Sequence, residues 1–177
     1  SLKSFVEEER LTRVKHAAGK FPSGAVQHIL KENNLDITDI DAIIQAWDCN
    51  IYDSGEMSSF YEKINKIYPT VEEDLAYQRN HLRNLSSANQ KNIIYKNLKK
   101  IYGDKKFPQV IFVNHHLSHA CMAYFDSGFG ECLILTLDGS GESTTTKLWI
   151  GRDGKIEPIK EIKIPHSLGW FYSAFTE

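Results

Sequence analysis

Residues 113–120 read VNHHLSHA. His115 and His119 stand four apart, and on a helix that spacing puts both imidazoles on one face, roughly 6 Å apart at Cβ. Two rings so placed can hold one cation between them, as zinc-binding helices do. Chance competes with this reading, because seven histidines in 177 residues can give one such pair by accident. Position argues against accident. The pair opens a helical pattern directly after QVIFV, at the carboxyl edge of a strand, where open α/β sheets place their ligands. A carboxylate, Asp138, ends the next strand, CLILTLD. Two imidazoles and a carboxylate suit iron(II), manganese or zinc, and the mixture favours iron with positions left open for a substrate. His116 points off the shared face and reads as a surface residue, a support for the ligands or a substrate contact.

A second stretch with chemical content is LDGSGESTTT, residues 137–146. Gly139 and Gly141 allow a tight turn that frees backbone N–H groups to face an anion, and Ser140, Glu142 and Thr144 lie in the same loop. A plain Gly-rich hairpin competes at even odds. Arg10, Arg13, Lys15, His16 and Lys20 gather near the start, as a solvated basic loop or as a phosphate contact. The lysines at 91, 96, 99, 100, 105 and 106 read as the wet face of a helix. A metallopeptidase is excluded by the residues between the histidines. The zinc-protease helix needs a glutamate after its first histidine, and here His116, Leu117 and Ser118 follow.

These residues need elements to position them. FPSGAVQHILKENN has Val26, Ile29 and Leu30 at helical spacing, with Ser23 at its start and Asn33–Asn34 at its end. DAIIQAW and QVIFV read as buried strands. Between them, residues 55–103 are rich in lysine and glutamate and form a helical insert of two or three helices. Thr70 with Glu73 predicts a capping box, and Gly103 a helix stop. Asn114 is placed to cap the histidine helix. ECLILTL, STTTKLWIG and KIEPIKEIKI form a meander whose last two strands meet at Asp153–Gly154, a hairpin turn. HSLGWFYSAF begins another helix. The strands near 109–113 and 132–137 are expected in one mixed sheet. Residues 1–130 are read as a first lobe and 131–177 as the start of a second.

Composition agrees with an ordinary globular protein, 41 % hydrophobic and 25 % charged. A net charge of −2 gives no pull toward nucleic acid or an anionic membrane. No apolar run is long enough for a membrane span, and three cysteines without metal or redox spacing read as reduced core residues of a cytoplasmic protein. The chain opens without methionine and in mid-pattern, and it ends inside a helix pattern, so it reads as a fragment.

Four segments, EEERLTRVKHAAGKFP, VNHHLSHACMAYFDSGF, LTLDGSGESTTT and IPHSLGWFYSAFT, resemble in order and spacing the O-carbamoyltransferases of the nodulation and cephamycin type. The resemblance covers nearly the whole chain outside the helical insert. It implies an α/β fold of the ribonuclease H-like, actin-like ATPase (ASKHA) type, related to the tRNA threonylcarbamoyl-transferase. A further domain of the same full-length chain would make carbamoyl-adenylate from carbamoyl phosphate and ATP. The carbamoyl group would then pass to a hydroxyl of a sugar, antibiotic or other small-molecule acceptor. The resemblance also implies iron held by His115, His119 and Asp138, with another aspartate from later in the chain. The loop of Gly139, Ser140, Gly141, Glu142 and Thr144 would hold the adenylate phosphate. The family's KHD pattern falls on Lys15, His16 and Ala17, so the acid is absent here. Lys15, His16 and His116 complete the expected catalytic set, with the acceptor hydroxyl activated either by the metal or by a nearby histidine such as His116. A tRNA-modifying relative is the alternative, but it calls for a basic surface that this slightly acidic chain lacks.

Overall fold

The computed structural model describes residues 2–176 as a mixed α/β structure. In chain order the elements are α1 (Glu8–Thr12), α2 (Ser23–Glu32), β1 (Ala42–Gln45), α3 (Asn50–Asp53), α4 (Glu56–Ile67), α5 (Glu72–Asn84), α6 (Ser87–Tyr102), β2 (Gln109–Phe112), α7 (His115–Ser127), β3 (Glu131–Gly141), β4 (Thr144–Arg152), β5 (Lys155–Lys163) and α8 (Leu168–Thr176). No helix among the described residues is long and apolar enough to cross a membrane.

The chain groups into two compact units. One runs through Ile44 and takes in Ala88–Ile111; the other holds Gln45–Ser87 and everything from Phe112 onward. This division does not follow the lobe boundary expected at residue 130, because α7 packs with the meander that follows it.

In the first unit, Glu8 reaches across to α2. Its two carboxylate oxygens accept from Gly24 N at 3.1 Å and Ala25 N at 2.7 Å, satisfying two of the N–H groups that a helix start leaves open. Leu30, Ile37, Ile94, Leu98 and Val110 are buried. Strands β1 and β2 pair with each other as a two-stranded sheet. Neither is buried on both faces. Ile44 is exposed in β1, and in β2 Val110 and Phe112 are buried while Ile111 is exposed, so the expected buried strands are half-buried ones. Helix α6 stops where Gly103 takes a φ of +76°, a conformation without penalty for glycine.

In the second unit, β3, β4 and β5 form an antiparallel sheet in sequence order. The expectation that β2 and β3 share one sheet is corrected here: helix α7 intervenes in sequence, and β3 pairs only with the neighbour its own hairpin supplies. The turn between β4 and β5 has Asp153 at φ +50° and Gly154 at φ +72°, the left-handed pair of a type I′ hairpin. One face of the sheet packs on α7, where Ala120, Tyr124, Ile134 and Trp149 form a core flanked by Leu117, Cys132 and Ile156. A fully buried aliphatic side chain such as Ile134 contributes about 1.5–3 kcal/mol. Gly151 lets Tyr124 lie on β4, since a Cβ there would come within 2.5 Å of the ring. A second core of Tyr52, Met57 and Tyr61, with Leu82 packed against it, gathers α3, α4 and α5. The insert contains three helices after α3, but its capping box is displaced by one residue. Asp74, not Glu73, accepts from the backbone N of Val71, at 3.3 Å, while the Thr70 hydroxyl donates to Asn65 and to the Tyr68 carbonyl.

Candidate metal centre

Helix α7 begins as its sequence requires. Asn114 accepts from Leu117 N at 2.9 Å, and the helix places His115 and His119 one turn apart with rings 4.5 Å between centroids. Asp138, near the end of β3, faces them. His115 Nε2 lies 2.6 Å from Asp138 Oδ2 and 3.1 Å from His119 Nε2, and His119 Nε2 lies 3.6 Å from the same carboxylate oxygen. All three candidate ligands therefore present a donor atom to one point, within 4.8 Å of one another.

The tautomer of His115 is fixed by its other nitrogen. Nδ1 sits 3.0 Å from the Ala46 carbonyl, which can only accept, so Nδ1 carries the proton and a neutral ring keeps its lone pair at Nε2. That lone pair faces a carboxylate oxygen. Two acceptors at 2.6 Å need a proton or a cation between them. Three ligands each about 2.0–2.2 Å from one ion would stand roughly 3 Å apart, close to the separations found, so the residues present fit a divalent metal. The Ala46 carbonyl is the kind of outer partner that orients a ligating imidazole. Burial pushes the Asp138 carboxyl up, but the hydrogen bonds from His115 and Gly139 N and the charges of both histidines outweigh it and hold the group below the ordinary range.

Glu142 supports this arrangement, a role that its place in a Gly-rich stretch did not announce. Its backbone turns the chain at φ +53°, and its side chain is only 4 % exposed. The carboxylate accepts from Asp48 N at 2.6 Å, Asn114 Nδ2 at 2.7 Å and His115 N at 3.0 Å. Burial raises its carboxyl above the usual range, with the backbone donors pulling the other way.

The loop residues expected to face a phosphate are arranged differently. Gly139 and Gly141 lie within β3, and the turn is made by Glu142 and Ser143. The glycines serve close approach. A Cβ on Gly141 would meet His115 Cδ2 at 2.4 Å, and one on Gly139 would meet the indole of Trp170 at 2.6 Å. Thr144 is buried, with its hydroxyl directed to Glu161 and its carbonyl accepting from His116. Ser140 is half-buried.

His116, expected as a surface group or the base for an acceptor hydroxyl, is fully buried. Its Nε2 donates to the Thr144 carbonyl at 3.0 Å, which leaves Nδ1 to accept from the Thr136 hydroxyl at 2.8 Å. Burial lowers its pKa, so the ring is neutral, and neither nitrogen is presented to a substrate. It fastens α7 to β3 and β4. Lys15 and His16 belong to the other compact unit, on a short 3₁₀ turn where both side chains are exposed and His16 N donates to Glu9.

The chain matches the carbamoyltransferase N-terminus family over residues 3–177 and belongs to that family. It is similar to the uncharacterized protein sll1178 of Synechocystis sp. (strain ATCC 27184 / PCC 6803 / Kazusa), with 36 % identity over 97 % of this chain and 27 % of that protein. It is also similar to the nodulation protein NolNO of Sinorhizobium fredii (strain NBRC 101917 / NGR234), with 31 % identity over 94 % of this chain and 22 % of that protein. A shorter likeness, 31 % over 42 % of this chain and 14 % of the relative, links it to the uncharacterized protein MJ1051 of Methanocaldococcus jannaschii. The chain thus spans about a quarter of the length of the first two curated relatives.

Proposed function

We propose that this chain serves an O-carbamoyltransferase, which passes a carbamoyl group from carbamoyl-adenylate to a hydroxyl of a small-molecule acceptor. The adenylate would be made from carbamoyl phosphate and ATP by another domain of the full-length protein, and the actin-like lobe would carry the transfer centre. Family membership supports the reaction class. The observation that carries the site is the convergence of His115, His119 and Asp138, with the first ring locked by the Ala46 carbonyl.

We assign these three residues as ligands of a divalent metal, with iron(II) favoured by the mixed nitrogen and oxygen set. When bound, such an ion supplies Lewis acidity toward a carbonyl or phosphoryl oxygen. The protein's own part is to hold the ligands ready. Glu142 fixes the start of α7, Ala46 fixes the His115 ring, and His116 ties the same helix to the sheet. His116 is left out of the acid–base role, since both its nitrogens are engaged inside the protein.

The test uses the full-length protein with labelled carbamoyl phosphate, ATP and a hydroxylated acceptor, with iron(II) present or chelated. Label should reach the acceptor only with ATP and metal, and His119→Ala should lower transfer at least about 100-fold. Undiminished transfer by the metal-free protein or by the variant would overturn the assignment.

A further inference from the structure

Within the second compact unit, α4 and α5 face the end of β3 and the start of α8 across a half-open pocket of about 300 Å³, the lower end of small-molecule sites. Tyr61, Tyr77 and Trp170 give it aromatic walls, Asn65 and Gln78 an amide pair, and Ser140 a hydroxyl. The metal-centre chemistry does not use it. Yet its floor is the strand segment that carries Asp138, since Ser140 lies two residues beyond that carboxylate and the Trp170 indole rests on Gly139.

We infer that this pocket holds the acceptor, and that the acceptor enters it as a polyhydroxylated ring carrying no anionic group. The inference rests on the transfer reaction proposed above. Charge makes the first selection. The lining contains two carboxylates, Asp74 and Glu142, and no lysine or arginine, so a phosphate-bearing donor meets a field of the wrong sign. Hydrogen bonding makes the second. Asn65 Nδ2 donates to Gln78 Oε1 at 2.8 Å and Gln78 Nε2 donates back at 3.0 Å, which fixes both amide planes. Thr70 takes the other lone pair of Asn65. Each amide keeps one N–H, and Gln78 keeps one lone pair, a fixed donor and acceptor set that suits hydroxyl groups. The ring faces make the third. The negative face of Tyr77 or Trp170 attracts the slightly positive C–H edge of a sugar or cyclitol ring.

The test again uses the full-length protein. Methyl α-glucopyranoside and myo-inositol serve as probes, followed by saturation-transfer NMR without ATP or metal, with glucose 6-phosphate as the charged counter-probe. Two variants are chosen to spare the fold: Gln78→Leu, and Tyr77→Ala, a residue 62 % exposed whose ring lies outside the buried core and stacks on His81. Both should weaken the uncharged probes at least about tenfold, the cost of one lost hydrogen-bond partner or ring contact. Glucose 6-phosphate should bind at least as much more weakly to the parent. In transfer assays both variants should raise the acceptor KM and leave the carbamoyl phosphate KM unchanged. Transfer with an unaltered acceptor KM in both variants would sink the pocket and leave the reaction standing. A raised carbamoyl phosphate KM, or failure of the uncharged probes to bind the parent, would also overturn it. Probe binding that falls in the variants of a protein with no transfer activity would keep the pocket and remove the reaction.

Discussion

Glu142 gives the most direct test of how the ligand helix is held. Replacing it with alanine leaves three donors without their acceptor: the amides of Asp48 and His115 and the side-chain amide of Asn114. A buried donor stranded in this way costs about 1–3 kcal/mol. The His115 amide belongs to the first turn of α7, so it has no acceptor within the helix, and the lost carboxylate also interacted with the positive end of that helix. Glu142 lines the pocket, so water can enter and satisfy one donor. Two stranded donors taken near the middle of that range, with the lost helix-end interaction, give roughly 3–5 kcal/mol. The desolvation that raises the Glu142 carboxyl offsets part of it, bringing the expected loss to about 2–4 kcal/mol. For a domain of this size, that lowers Tm by roughly 4–16 °C. Glu142→Gln keeps the shape and one acceptor but turns an N–H toward the donors, so it should fall between parent and alanine. Thermal unfolding should rank the three proteins in that order, and hydrogen exchange should speed up in peptides covering 46–50 and 113–118. An alanine variant with unchanged melting and exchange would show that the three hydrogen bonds hold nothing in place.

Gly141→Ala should destroy metal binding, measured by titration with cobalt(II), because the methyl group lands 2.4 Å from His115 Cδ2 and must push the ring off Ala46. Gly130→Ala, where a Cβ meets nothing within 4 Å, should bind as the parent does. The Lys105 ammonium, aided by the backbone and side chain of Thr38, lowers the Asp36 carboxyl to about 2. A depressed acid stabilises above its unfolded value and loses that contribution as pH falls, here between about 4 and 2. NMR titration of the Asp36 carboxyl should show this, and in Lys105→Ala the midpoint should move back toward 4; an unmoved midpoint would refute the pairing. Burial, with smaller contributions from nearby carboxylates, raises the Cys49 thiol to about 12, and the residue is 0 % exposed. Iodoacetamide at pH 8 should therefore label the half-buried Cys121 and Cys132 first; equal labelling of Cys49 would contradict the packing.

Much of this is legible in the sequence alone, and the rest is hidden there for one physical reason. The helix at Ser23, the Asn114 cap, the Gly103 stop and the Asp153–Gly154 hairpin are all local, with partners within a few residues. The spacing of His115 and His119 is local too, and Asp138 could be added because it ends the next strand. The hydrogen bonds of Glu142 were not legible because its partner Asp48 lies 94 residues away, and no pattern within one segment announces such a contact. Gly139 and Gly141 suggested a turn, although what they permit is the approach of Trp170 and His115 from elsewhere in the chain. His116 looked exposed because helical periodicity places it off the ligand face, but the sheet covers that side. Thr70 and Glu73 matched the capping pattern one residue out of frame.

At residues 46 and 48 the strand exit meets the ligand helix through main chain: the Ala46 carbonyl meets the His115 ring, and the Asp48 amide meets the same carboxylate that holds the His115 amide, while between them the Trp47 ring lies 5.3 Å from the His115 ring. Backbone groups are common to nearly all residue types. The centre's alignment is thus written into the path of the chain at these two positions, while Ala46 is exposed and the Asp48 carboxylate serves Asn50 instead of the histidines. Homologues can change residue 46 or 48 without disturbing the histidines, and a saturation library there should prove permissive. Proline at 48 is the exception, since it has no N–H to give.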